Sequence, residues 1–254
     1  MESIAELRRI CRRENDEDNR KTMLLASRLS IYFTRIFLAA NLSADQVTYI
    51  FITAGMAGAL SFLGPGPWWA VAGYVMLKLH VIFDVCDGEV ARYRKTSSAA
   101  GAYLDFLAHY CIYSLLLSAM TIRYFLDGGG LSSIVCGFVL VLANTLNRAS
   151  CDCWFRANFG KAGRDEIEEG RDERSVGGLP NLLRIPVLIA ANAVSIHNFA
   201  SAYIVVMIME RYVQMDLRGY LIPFYTAMLL AFSIMRIART ISRGKIPRRA
   251  TYYR

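Results

Sequence analysis

Paired cysteines at metal-binding or redox spacing are missing from this chain. Its six cysteines, Cys11, Cys86, Cys111, Cys136, Cys151 and Cys153, form no CxxC, and Cys151-Asp152-Cys153 is one residue too short. That argues against a zinc ribbon or a dithiol centre and leaves the thiols as reduced, small apolar fillers. An early apolar core is missing as well. The first thirty residues are charged, so no cleavable signal peptide is expected. Internal repeats and low-complexity segments are absent, which excludes a repeat architecture. The net charge is +8, yet no nucleic-acid motif accompanies it. The charge is therefore read as attraction to anionic lipid headgroups, with no nucleic-acid partner.

Apolar residues make up 55% of the 254, a proportion unusual for a soluble protein. Several runs exceed the ~18 residues that suggest a membrane span. The pattern predicts an all-α integral membrane protein with six transmembrane helices, over roughly 46–63, 67–91, 99–126, 131–155, 183–210 and 217–241. Gly64-Pro65-Gly66-Pro67 and Asp127-Gly128-Gly129-Gly130 are short breakers between spans. Residues 1–40 are expected as a cytoplasmic or interfacial segment. In it, Ile4, Leu7 and Ile10/Cys11 share the face of an N-terminal amphipathic interfacial helix. Residues 41–242 then form the membrane domain and 243–254 a basic cytoplasmic tail. Arginines and lysines gather before span one, between spans two and three and four and five, and after span six. The positive-inside bias puts both termini on the cytoplasmic side.

The acidic groups are where the chemistry is expected. Asp84, Asp87 and Asp105, together with His109, sit inside strongly apolar sequence, where ionised groups are costly without a task. Asp84 and Asp87 are three apart, Asp105 and His109 four apart, so each pair projects from one helix face. Two such helices, joined by the short basic turn Arg92–Ser98, must pack antiparallel and make one oxygen-rich pocket at their shared end. Such a pocket suits Mg²⁺ or another divalent cation.

This stretch resembles the signature of the CDP-alcohol phosphotransferase (CDP-alcohol phosphatidyltransferase) family, D-x2-D-G-x2-A-R-x(7–9)-G-x3-D-x3-D. Asp84, Asp87, Gly88, Ala91, Arg92, Gly101 and Asp105 match seven of its eight fixed positions, and His109 replaces the fourth aspartate. Asn41–Thr48 is similar to the family's lead into its first span. The resemblance implies a membrane enzyme, using Mg²⁺ or Mn²⁺, that moves a substituted phosphate from a CDP-linked donor to an alcohol acceptor and releases CMP. The donor is CDP-diacylglycerol or another CDP-alcohol, in phospholipid or glycolipid synthesis. It implies Asp84, Asp87, Asp105 and His109 as metal ligands, with Asp105 and His109 catalytic. Gly88, Ala91, Arg92, Gly101 and Thr48 are then the donor site. Imidazole is both a ligand and a base poised near neutrality, so His109 can serve either way. It also removes one negative charge and makes a second metal less secure. The resemblance further implies a homodimer through spans three and four, and a bacterial or archaeal inner (plasma) membrane with the active site facing the cytoplasm.

Other polar groups admit more than one use. Arg148 and Arg184 loosely resemble the arginines that bind a phosphorylated acceptor in some family members; a structural salt bridge is the plainer alternative. Asn144, Asn147 and Arg148 share a face of span four. His80 shares the face of Asp84 and is assigned either to hydrogen bonding within the bundle or to the acceptor. Lys78 lies on another face and is expected to snorkel or pair. His197 and Asn198, expected near the middle of span five, are read as a polar kink or a packing contact. The charged loop 156–178 is a solvated segment or a lid, with Gly177-Gly178 as its hinge. Two rival functions remain at this point. A non-catalytic nucleotide- or metal-binding scaffold has His109 as its support. A divalent-cation transporter would need polar residues on both sides of the midplane, whereas the acids gather at one end.

Overall fold

The computed structural model describes residues 2–11, 24–96, 98–159 and 195–243. Among them the chain forms eight helices: α1 Ile4–Cys11, α2 Leu24–Ala39, α3 Ala44–Ser61, α4 Pro67–Arg94, α5 Ala99–Leu126, α6 Leu131–Phe159, α7 Ile196–Val213 and α8 Arg218–Arg243. The chain divides into two compact units, Met1–Arg123 and Tyr124–Arg254.

The expectation of six membrane spans is corrected. Among the described residues, four helices are long and apolar enough to cross a membrane, over Pro67–Arg94, Ala99–Leu126, Leu131–Ser150 and Arg218–Ile241. The segments expected as spans one and five are α3 and α7, each of 18 residues. Each reaches the length of a span but not its apolarity. Polar residues dilute both: Asp45 and Gln46 in α3, and His197, Asn198, Glu210 and Arg211 in α7. Residues 183–194 of expected span five lie outside the described residues, as do most of loop 156–178, its Gly177-Gly178 hinge and residues 244–254.

In the first unit, α3 begins with a capping box. Ser43 Oγ accepts from the Gln46 amide at 3.2 Å, and Gln46 Oε1 accepts from the Ser43 amide at 2.8 Å. Pro67 opens α4, where its missing N–H costs nothing. α3 and α4 pack closely at a pair of glycines: a Cβ on Gly58 would stand 2.9 Å from the Gly73 carbonyl, so only glycine permits this approach. α2, not anticipated as a separate helix, packs on α4 through Phe33, Phe37 and Phe83. The Phe83 ring meets the other two edge-on, at centroid distances of 5.3 and 5.5 Å.

That packing includes a buried acid. Glu89 of α4 accepts hydrogen bonds from Ser30 Oγ at 2.8 Å and Thr34 Oγ1 at 2.5 Å, both on α2. Cys86 donates to the Ser30 carbonyl at 3.3 Å. α1 docks onto the same region through Leu7 and Cys11, which are buried with Ile31 against Ile4, Leu38 and Tyr93. Ile10 stays exposed. Burial pushes the Cys11 thiol up to about 11, so it remains protonated and inert.

In the second unit, Arg218 at the start of α8 gathers the turns around it. Its Nε reaches Glu210 Oε2 at 2.6 Å, its Nη1 reaches Asp127 Oδ2 at 2.7 Å, and its backbone N–H donates to Glu210 Oε1 at 2.7 Å. Asp216 accepts from the Tyr124 hydroxyl and from the Gly219 amide. Further along, α6 and α8 are joined by Ser233 donating to the Ala143 carbonyl at 3.1 Å and by Arg236 donating to Asn147 Oδ1 at 2.7 Å. The Phe199 and Tyr225 rings stack at 3.9 Å.

Candidate metal centre

The site is built by two helical repeats. On α4, His80, Asp84, Asp87 and Ala91 follow each other at three- and four-residue steps. On α5, Asp105, His109 and Tyr113 do the same at four-residue steps. Where the stripes meet, His109 Nε2 lies 3.6 Å from Asp84 Oδ1 and 3.3 Å from Asp105 Oδ1. One ligand atom from each of Asp84, Asp105 and His109 falls within 4.8 Å of the others, the spacing of a shared cation. Asp84 and His109 side chains are 19% exposed and Asp105 33%, so the group is partly desolvated yet reachable. Asp105 Oδ1 is buried and, although 3.3 Å from His109 Nε2, makes no well-aligned hydrogen bond. Two hard carboxylates, an imidazole and an unsatisfied oxygen fit a divalent cation.

Asp87, expected in the same ligand set, flanks this group. Its Oδ2 accepts from Thr48 Oγ1 at 3.0 Å, which brings Thr48 from α3 to the rim of the site. The Thr48 hydroxyl also lies 3.1 Å from the Ala44 carbonyl, so it bridges helix backbone and carboxylate.

The remaining motif positions are placed more variously. Gly88 is half-buried, and Ala91 packs beside Phe37, Val47 and Val90. The Gly101 amide donates to Ser98 Oγ at 2.9 Å, and a Cβ there would come within 3.4 Å of Asp45 Oδ1. Arg92 Nε donates to the Cys11 carbonyl at 2.7 Å, tying the last turn of α1 to the end of α4. Beside it, the Tyr93 hydroxyl donates to Glu2 at 2.6 Å, which lowers the Glu2 carboxyl below its ordinary value. Arg94 donates to Asn41 Oδ1 at 2.8 Å. Lys78 lies over the Tyr74 ring at 4.7 Å.

Arg148 is half-buried on α6 within the second unit, one turn from Asn144, whose Nδ2 makes no hydrogen bond. Arg184 lies outside the described residues. His197 stands in the first turn of α7 rather than near the middle of a span.

Three contributors, Tyr113, Phe51 and Glu89, escaped sequence reading, whereas His80 makes the hydrogen bond within the bundle that was one of its two expected uses. Tyr113 stacks on His109 at 5.7 Å with the rings 4° from parallel, and His80 meets His109 edge-on at 5.5 Å. His80 is held by Nδ1, 3.0 Å from the Phe51 carbonyl. Extending the four-residue step from Asp105 through His109 points to Tyr113. Phe51 and Glu89 leave no such local sign.

Residues 41–161 match the family model for CDP-alcohol phosphatidyltransferase. The chain is similar to phosphatidylinositol phosphate synthases of Mycobacterium bovis (strain BCG / Pasteur 1173P2) and Mycobacterium tuberculosis (strain CDC 1551 / Oshkosh). Each is 35% identical over 79 residues, 31% of this chain and 36% of the relative. The match thus spans little more than a third of the length of those curated relatives. The crystal structure of Mycobacterium tuberculosis phosphatidylinositol phosphate synthase in apo form aligns with a TM-score of 0.52, covering 85% of this chain and 98% of that one. At 19% identity the likeness shows a shared fold.

Proposed function

Residues 41–161 belong to the CDP-alcohol phosphatidyltransferase family, and from that premise we propose that the chain transfers a substituted phosphate from a CDP-linked donor to an alcohol, releasing CMP. The observation that carries the reading is the meeting of Asp84, Asp105 and His109 within the family signature. Asp84, Asp105 and His109, flanked by Asp87, hold a divalent cation, Mg²⁺ or Mn²⁺. A cation bound there neutralises the diphosphate and the charge that builds on the departing CMP oxygen. Thr48 keeps Asp87 turned toward the site. Gly88, Ala91 and Gly101 leave room for the nucleotide, and Arg92 borders the donor. The acceptor hydroxyl gives its proton to Asp105 or His109 as it attacks the phosphorus distal to cytidine.

The phosphatidylinositol phosphate named in the relatives is a phospholipid, which favours CDP-diacylglycerol as donor and a polar alcohol as acceptor. Arg148 and Arg184 are the acceptor-site candidates. The reading places the site on the cytoplasmic face of a bacterial or archaeal plasma membrane, supported by the clustering of basic residues beside it. It includes a homodimer through α5 and α6. Supporting this, α6 carries an exposed apolar row, Leu131, Val135, Phe138 and Leu142, suited to lipid or a second copy.

The test is binding of CDP-diacylglycerol and of CDP-glycerol to the purified protein, with and without Mg²⁺ or Mn²⁺, followed by CMP release when candidate alcohols are added. Metal-dependent binding and release of CMP is the expected result. Metal binding without recognition of either cytidine compound overturns it in favour of a scaffold.

A further inference from the structure

Histidine at position 109 changes the donor set of the site, and its ring is held in one orientation. This inference rests on the reading of Asp84, Asp105 and His109 as a cation site. We propose that His109 binds the cation through Nε2, and that this nitrogen turns the site from Mg²⁺ toward cations of the first transition row, Mn²⁺ and Zn²⁺.

Geometry selects the nitrogen. Nε2 is the ring atom that faces the carboxylates, 3.3 Å from Asp105 and 3.6 Å from Asp84. Nδ1 is buried and makes no hydrogen bond. The ring is fixed from two sides by the parallel Tyr113 ring and the edge of His80, and His80 is itself anchored on the Phe51 carbonyl. A ring so braced presents one atom in one direction, as a preorganised ligand does.

Chemistry then sets the preference. Mg²⁺ demands near-octahedral oxygen and releases its waters reluctantly. Imidazole suits later transition cations, and affinity for a mixed nitrogen and oxygen site rises along the row from Mn²⁺. Two carboxylates and one imidazole accept Mn²⁺ or Zn²⁺ more readily than Mg²⁺. With Nε2 bound to the cation and Nδ1 closed off from solvent, His109 does not take the acceptor proton. That task falls to Asp105.

The experiment uses the full chain in detergent. Calorimetric titrations with Mg²⁺, Mn²⁺ and Zn²⁺ are run on the natural protein and on His109→Asp. Pulsed electron paramagnetic resonance of bound Mn²⁺ then reads nitrogen coupling directly. The natural protein is expected to show coupling to one histidine nitrogen. His109→Asp is expected to lose the coupling and to narrow the Mn²⁺-over-Mg²⁺ affinity ratio by ~10-fold or more, at least what loss of a ligand's outer partner costs. Mn²⁺ bound with no nitrogen coupling overturns the inference and leaves the cation site standing. An unchanged ratio in His109→Asp overturns the claimed preference. Failure of every cation to bind overturns both. If His109→Asp does not fold, the coupling in the natural protein decides.

Discussion

Two clusters of charged side chains stand in this molecule, one in each unit, and they solve the same problem oppositely. Around Arg218, carboxylates and guanidinium are matched: Glu210 and Asp127 each meet a donor at 2.6–2.7 Å, and Asp216 is occupied by Tyr124 and Gly219. Around Asp84, Asp87 and Asp105, acids outnumber bases. The family's arginine, Arg92, has its Nε on the Cys11 carbonyl. The first arrangement is closed and stabilises the fold. The second, even with His109 beside Asp84 and Asp105, is left with an excess of negative charge, which is unfavourable unless a cation is to be bound. Both types of charge sit in or beside apolar helices, so hydropathy alone does not distinguish them; the count of opposite partners does.

The comparison breaks most visibly at the acids. Asp84→Asn and Asp105→Asn should each abolish CMP release and cation binding while leaving the thermal midpoint equal or higher, because like charge is removed. A variant that keeps turnover takes its residue out of the site. Arg218→Met should do the reverse. Stranding Glu210 and Asp127 is expected to cost ~3–5 kcal/mol in unfolding measurements, with CMP release per folded molecule unchanged. Next comes cation removal: at saturation of about 100 Kd, a bound cation adds ~2.7 kcal/mol. Chelation should therefore lower the unfolding midpoint of the natural protein and leave Asp84→Asn unmoved.

Glu89→Ala should destabilise by ~1–3 kcal/mol, because Ser30 and Thr34 lose a buried acceptor. Rescue by Gln, measured in the same unfolding assay, separates hydrogen bonding from charge. The smallest effect lies at the surface. The Glu2 carboxyl is lowered in the folded protein by its hydrogen bond from Tyr93. Its contribution to docking α1 is therefore present above the ordinary carboxylate range and is lost as pH falls through the lowered value. Amide exchange in α1 should quicken at acid pH, and Tyr93→Phe should remove that dependence.

Much of the centre was legible because it is local. Asp84, Asp87, Asp105 and His109 stand at three- and four-residue steps, and helix geometry converts such steps directly into a shared face. What escaped was tertiary. Glu89 finds Ser30 59 residues away, and Arg92 finds Cys11 81 residues away, so nothing near either residue announces its partner. The count of spans failed for another reason. Counting apolar residues from 46 to 63 left out Ala44 and Asp45 at the polar start of α3 and included Phe62 and Leu63, which follow the helix. α2 was absorbed into a charged leader because its neighbours, rather than its own residues, set the composition there.

The signature helix has two faces, and the family pattern constrains only one. Asp84, Asp87 and Ala91 are fixed by it. Cys86, Glu89 and Val90 are left open, yet these three are the buried residues of the motif that turn toward α2 and the adjoining core. The freedom that a motif grants at such positions is thus a licence to co-evolve rather than to vary singly. A chimera that imports α4 from a relative and keeps this α2 should inherit the chemistry and lose the fit. It should regain the fit only when Ser30 and Thr34 are exchanged together with position 89.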